Sequence, residues 1–385
     1  MPINAHEIQG FITRHQADIV ANLRDLVAVN TFIGSKAGQD ATQRMLQAWM
    51  PPGSALEIDR QAHCGDLYRY AYPGPGLRPV ALHGHLDTLC PDDPAFNAMT
   101  ERDGRLTGPG IHDMKAGLIT LVWSLKTLQH LGWLSRMSFV VIFNTDEESG
   151  SNFSKKHFLG LAERRTQLGV KFECAAMDNT LVTTRKGIAR YVLTAHGQSA
   201  HFGNLKTPKI SAIQEIGEKI RLIESFNRPD KQVVANVGKI GGGLAGNIVA
   251  EQACMEFELR FWERALMDQT LAMVRQKVLT PSVDGVRLEL RETSLIPPWQ
   301  PTAASRQAFE LACAVGREMG MELVEEKRGG ISDANWVAAA GIPALDGFGP
   351  IGQGDCTKEE FVVRDSLFQR VEFTVRFLAR FFGVT

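Results

Sequence analysis

Carboxylates and imidazoles recur in this chain at the ends of apolar runs, a pattern suited to holding divalent cations. In "HGHLDT" (83–88), His85 and Asp87 stand two residues apart, so on an extended strand both face the same side. A carboxylate so placed can accept one ring N–H of an imidazole whose other nitrogen binds a metal, which fixes the tautomer. Asp113, in "GPGIHDMKAG" (108–117), opens a helix behind a glycine-containing turn. "NTDEESG" (144–150) places Asp146, Glu147 and Glu148 in a row, and three consecutive carboxylates repel one another unless cations or protons intervene. Asp178, in "MDNT", closes another apolar stretch. Cys356 sits in the glycine-rich, acidic "GPIGQGDCTKEEF" (349–361), where a thiolate could bind zinc. Singly, each has a plainer role: strand exit, helix cap, solvated turn, small loop residue. Jointly they predict a dinuclear metal site, because sites in open α/β sheets assemble at the carboxyl ends of strands.

The elements that must deliver these groups are legible as apolar runs. Residues 78–87 and 138–144 read as strands buried on both faces, with further strands at 67–73 and 172–180. Helical periodicity covers 5–28 and 113–132. Near 185 the texture changes to half-exposed alternation. Strands near 190–202, 233–240, 252–261 and 286–292, with helices near 208–226 and 264–278, give a β-α-β-β-α-β order. The proline-rich "SLIPPWQPT" (294–302) leads out of it, and a helix (303–319), a short strand (342–348) and a terminal helix (364–382) return to the first domain. The expected division is 1–184 with 298–385 as one domain, and 185–297 as an insertion.

Bulk properties exclude several classes. With 42 basic and 43 acidic residues the net charge is -1, which argues against nucleic acid or an anionic membrane as partner. The six cysteines are scattered without CxxC spacing, and no basic-then-apolar leader or membrane-length run is present; the expected location is the cytoplasm. "GPG" at 108–110 leads into a helix, but no Walker lysine or GxGxxG accompanies it, which removes a nucleotide-binding reading.

The strings "GHLDT", "GPGIHDMKAG", "FNTDEESGS", "SAHFG", "GGISDANWVAAAGIPALDGFGPIG" and "KEEFV" resemble a known family. It is the dinuclear-zinc metallopeptidases that include glutamate carboxypeptidase (carboxypeptidase G type), acetylornithine deacetylase, succinyl-diaminopimelate desuccinylase and aminoacylase. The resemblance implies an α/β, phosphorylase/hydrolase-like three-layer zinc-peptidase domain carrying an inserted ferredoxin-like α+β lid or dimerisation domain. It also implies two Zn2+ per chain, or other divalent metals, and a homodimer. Carried over by position, Asp113 bridges the ions, His85 and Asp178 complete one, and Glu148 binds the other. Glu147 is then the general base and Asp87 the partner of His85, and members often have a cis peptide after the bridging Asp. His201 in "SAHFG" resembles a lid-domain oxyanion donor, and Arg260, Asn247, Gly329 and Gly330 resemble substrate contacts.

One departure stands out. The family's last ligand is a histidine four residues before the Glu of "EFV"; here that position is Cys356, and the last histidine of the chain is His201. Cys356 could replace the imidazole, Asp355 could swing in, or the second metal position is weakened. The implied activity is hydrolysis of the amide of a small peptide or N-acyl amino acid with a free carboxylate, as a carboxypeptidase. The alternatives are an N-acyl amino-acid deacylase and a catalytically reduced relative that acts as a binding protein. "SLIPPW" lacks the basic residue of some glutamate-specific relatives, so glutamate specificity is not implied.

Overall fold

Two strands buried at every residue, Val80–His85 and Phe139–Asn144, pair in parallel with His85 opposite Asn144. Their unbroken apolar runs are what a strand covered on both faces requires. In the computed structural model, which describes residues 5–204, 208–228, 230 and 232–384, they lie at the middle of a six-stranded sheet. Its order is Ala55–Asp59, Leu67–Tyr72, Phe139–Asn144, Val80–His85, Leu168–Lys171, Ala344–Leu345. Leu67–Tyr72 runs antiparallel to both its neighbours, and the four strands from Phe139–Asn144 onward run parallel. The carboxyl ends at His85, Asn144 and Lys171 therefore open at the same end of the sheet.

Helix Ala116–His130 is buried around nearly its whole circumference, because it packs between the strand Val80–His85 and helix Arg364–Phe382. A small sheet of Thr100–Arg102, Arg105–Thr107, Gly352–Gln353 and Phe361–Val363 pairs Phe361 with Thr107. It thereby brings the loop holding Cys356 beside the segment leading to Asp113.

These elements belong to a unit made of the residues up to Thr184, Pro301–Arg328 and the residues from Ser332 onward. A second unit, Arg185–Gln300 with Gly329–Ile331, has its own core. Its antiparallel sheet runs Val233–Gly242, Gln252–Phe261, Gly187–His196, Arg287–Ile296, with helices Ala212–Glu224 and Arg264–Val278 packed on it. That is the strand order of a ferredoxin-like β-α-β-β-α-β unit.

Three differences from the sequence-based expectation have physical causes. The helical stretch 5–28 is two helices, Ala5–Arg14 and Gln16–Val27, broken at His15. Helix Lys36–Trp49 had no apolar stripe to announce it, since it buries Gln39, Thr42 and Gln43 beside Leu46. The Gln43 amide nitrogen is satisfied there, donating to Asp66 O at 2.8 Å and Phe143 O at 2.9 Å. Finally, the expected strand at 172–180 is displaced: the strand is Leu168–Lys171, and a turn at 176–179 follows, with Asn179 at φ 62°.

Candidate metal centre

His85 is the last residue of its strand, and its ring is buried. Nδ1 lies 2.9 Å from the Asp87 carbonyl oxygen and 3.4 Å from Asp87 Oδ1. With that nitrogen turned to Asp87, Nε2 faces the acids: Asp113 Oδ1 at 3.1 Å, Glu173 Oε1 at 3.3 Å and Glu147 Oε2 at 4.0 Å. Asp87 is itself fully buried, and its Oδ2 accepts from the Glu148 N–H at 2.8 Å. Asp87 thus fixes the imidazole through its backbone carbonyl and the turn carrying Glu147 and Glu148 through its carboxylate.

Asp113 is not a helix cap. Asp113 and Met114 have non-helical backbones, the peptide between them is cis, and the regular helix starts at Ala116. The turn is held by the buried Glu360, whose Oε1 accepts from the His112 and Asp113 N–H groups at 2.7 and 2.9 Å. Its Oε2 accepts from the Gly110 N–H at 3.0 Å. Behind the turn, a Cβ at Gly117 would fall 1.8 Å from the Phe172 carbonyl oxygen, so only glycine lets this helix meet the chain next to Glu173.

Two donor triplets result. His85, Glu147 and Glu173 form one, and Asp113, Glu148 and Cys356 the other; within each, one donor atom per residue lies within 4.8 Å of the rest. Burial, followed by the Asp113 carboxylate, pushes Glu148 up to about 8. Burial likewise raises Glu147 well above its ordinary value, and burial followed by the Glu173 carboxylate raises Asp113. Burial, Asp113 and Glu148 lift the Cys356 thiol. On His85, burial and Lys171 oppose charge, yet Glu147, Glu173 and Asp113 carry it well above the usual histidine range. Buried acids this close need compensating cations. Glu148 Oε1, moreover, is buried without a hydrogen-bond partner among the described residues. An imidazole nitrogen, carboxylate oxygens and a thiol together fit a borderline-soft divalent ion.

The assignment of Asp178 is corrected. Its strand ends at Lys171 rather than at residue 180, so Asp178 is exposed in the following turn, and the carboxylate facing His85 is Glu173. The signal for this was present in "MDNT", where Asp-Asn favours a turn. Asp355 does not take the place of Cys356: it is paired with His112 Nδ1. His83 packs against Phe158, and neither ring nitrogen has a hydrogen-bond partner; burial, then Lys171, lowers its pKa to about 3.

The remaining candidates lie in the second unit. His201 is exposed on the two-residue strand Ala200–His201, which pairs with Ile248–Val249, and Phe202 N–H donates to the Asn247 carbonyl at 2.9 Å. The Arg260 guanidinium donates to Glu258 Oε1 at 2.5 Å and to the Gly329 carbonyl at 2.8 Å, while the Gly330 carbonyl accepts from Arg185 at 3.2 Å. Sequence reasoning brought Arg260, Gly329 and Gly330 into one group, but missed Glu173 and the holding role of Glu360. It also missed the buried pair Lys171–Asp333, at 2.9 Å.

Known proteins share this arrangement of chain. Residues 81–380 match Peptidase family M20/M25/M40. Carboxypeptidase G2 of Pseudomonas sp. (strain RS-16) is 24% identical over 373 residues, spanning 95% of this chain and 90% of that protein. Succinyl-diaminopimelate desuccinylase of Wolinella succinogenes is 25% identical over 316 residues, spanning 76% and 81%. Among solved structures, a tripeptidase from Staphylococcus aureus gives a TM-score of 0.76 at 21% identity, covering 95% of this chain and 99% of that one. A dinuclear metal-binding M20 peptidase from Bacillus subtilis gives 0.72 at 14% identity, covering 97% and 100%. With its donor clusters at the sheet's carboxyl end, the chain belongs to peptidase family M20/M25/M40 and is a hydrolase of peptide or amide bonds.

Proposed function

We propose that this chain is a zinc-dependent carboxypeptidase that releases an amino acid from a small peptide or N-acyl amino acid bearing a free carboxylate. The observation that carries the reading is the convergence of His85, Asp113, Glu147, Glu148, Glu173 and Cys356 at one end of a buried sheet. His85 and Glu173 would hold one ion, Glu148 and Cys356 the other, with Asp113 reaching both. Bound ions would supply positive charge that acidifies water toward neutrality and polarises the scissile carbonyl.

The chain's own residues do the rest. Asp87 takes the Nδ1–H of His85 and leaves Nε2 its lone pair. Glu147, whose buried carboxyl has an elevated proton affinity, takes the proton of the attacking water and passes it to the leaving amine. The adjacent Glu148 is then free to act as a ligand. His201 donates to the developing oxyanion. Arg260, steadied by Glu258 and the Gly329 carbonyl, recognises the substrate carboxylate in bidentate fashion, with Asn247 and Gly330 lining the same substrate.

The enzyme would work as a homodimer in the cytoplasm. Support for the dimer is the largely exposed strand Val233–Gly242 at the edge of its sheet, a position at which strands of two copies can pair. Support for a reducing compartment is that all six cysteines are free.

The test is hydrolysis of a panel of dipeptides, their C-terminal amides and N-acetyl amino acids, with and without chelator. Chelator-sensitive cleavage of dipeptides but not their amides is expected. Preference for N-acetyl amino acids would replace the reading with a deacylase, and cleavage of neither class by zinc-loaded protein would overturn it.

A further inference from the structure

Lys171 ends the strand next to that of His85, pairing with His83 in register, and its side chain is wholly buried. Along extended backbone, Lys171 and Glu173 are two residues apart and turn the same way. Lys171 Nζ lies 3.3 Å from Glu173 Oε1, the same oxygen that stands 3.3 Å from His85 Nε2. On its other side Nζ donates to Asp333 Oδ2 at 2.9 Å. Asp333 is also fully buried; it accepts from Asn144 Nδ2 at 3.0 Å and from Ser151 Oγ at 2.5 Å.

This arrangement has a definite consequence. Asn144 closes the strand that leads into the Glu147–Glu148 turn, and Ser151 follows that turn. Asp333 therefore ties both ends of the turn to one ammonium, and the ammonium touches the carboxylate facing His85. A buried lysine must be paired to persist as a cation, and here Asp333 supplies the pairing. Lys171 restrains Glu173, whereas Cys356 and Glu148 of the other donor triplet make no ion pair with it.

We propose that Lys171, held by Asp333, is a positioning residue that presents Glu173 to the metal position shared with His85, and that it governs the affinity of that position more strongly than that of the Cys356 position, which it reaches only through the Glu147–Glu148 turn. The proposal rests on the reading of His85 and Glu173 as metal ligands. Groups that orient a ligand in this way typically alter metal affinity about 10–100-fold when removed.

The test uses the full-length, chelator-stripped protein titrated with Co2+. A thiolate-to-cobalt band in the near ultraviolet reports the Cys356 position, and equilibrium dialysis reports total binding. The double variant Lys171→Met/Asp333→Asn removes the ion pair without changing the net charge of the cluster, and Lys171→Arg keeps it. The expected result is a dissociation constant raised about 10–100-fold at the position lacking the thiolate band, a distinctly smaller shift of the thiolate-band midpoint, and recovery by Lys171→Arg. Unchanged affinity at that position, or equal weakening at both, would overturn the proposal. Two ions bound at undiminished affinity by Glu173→Gln would instead remove the ligand reading of Glu173, and the proposal with it.

Discussion

The carboxylate of Glu360 accepts hydrogen bonds from the N–H groups of His112 and Asp113 at 2.7 and 2.9 Å, on an oxygen buried from solvent. Its other oxygen takes the Gly110 N–H, so a single side chain satisfies three donors in the turn that aims Asp113. Leaving a buried donor unpaired costs about 1–3 kcal/mol. Glu360→Ala should lower stability by about 3 kcal/mol or more on that basis, read from the urea midpoint, and should loosen metal binding at the same time. Glu360→Gln, which keeps one acceptor oxygen, should lose distinctly less. Equal stability of Glu360→Ala and the parent would refute the role given to this residue.

Glu147→Gln tests the division of labour within the pair of adjacent glutamates. Removing a proton-transferring group typically lowers turnover about 10²–10⁴-fold. The expected outcome is a kcat loss in that range with two ions still bound, by elemental mass spectrometry. Loss of an ion in parallel would make Glu147 a ligand instead.

Cys356 stands where relatives of the resemblance place a histidine, and it lies with Asp113 and Glu148. Cys356→Ala should reduce tightly bound zinc from two ions per chain toward one, while Cys356→His should keep two. A count unmoved by Cys356→Ala would leave the thiol outside the metal centre.

Metal loading should release protons. In the ion-free site Glu148 sits at about 8, with Glu147 and Asp113 also raised by burial, so at pH 7 the cluster holds protons that a bound cation must displace. Zinc added to stripped protein in weak buffer at pH 7 should therefore acidify the solution, and apparent affinity should climb as pH rises toward 8. Proton-neutral binding across this range would contradict the acid-rich geometry.

In the second unit, burial works against the charge of Glu258, but Arg190 and Arg260 hold its carboxyl below the usual glutamate range. A folded-state value below the unfolded one gives stability that is complete above the ordinary glutamate value and drains away as pH falls through the lower one. Thermal midpoints measured from pH 6 down to pH 3 should fall less steeply for Glu258→Gln than for the parent. Parallel curves would mean that the pairing contributes nothing to folding.

Much of the catalytic unit was legible because its strands are buried on both faces, so that Val80–His85 and Phe139–Asn144 announce themselves as unbroken apolar runs. A helix with one apolar stripe, such as Arg264–Val278 in the second unit, was equally plain. Helix Lys36–Trp49 escaped because it buries amides and a threonine, whose suitability depends on partners far along the chain such as Phe143. The error at Asp178 has the same root. An apolar run shows that a strand is present but not where its last ladder bond falls, and a shift of a few residues exchanges one carboxylate for another.

The sequence by itself determined the chemistry on offer: an imidazole beside an aspartate, adjacent glutamates, an aspartate in a glycine-bounded turn, and a cysteine in an acidic loop. These are local properties, set by residue type and by the period of strand and helix. Only the tertiary structure decided which of these groups meet. Glu173 faces His85 because three parallel strands end at one level, and Asp355 turns to His112 while Cys356 joins Asp113 and Glu148. Lys171 stays a buried cation because Asp333, 162 residues away, closes onto it. Metal ligation and ion pairing need atoms within a few ångströms, and that proximity is created by packing between distant segments, which no local pattern encodes.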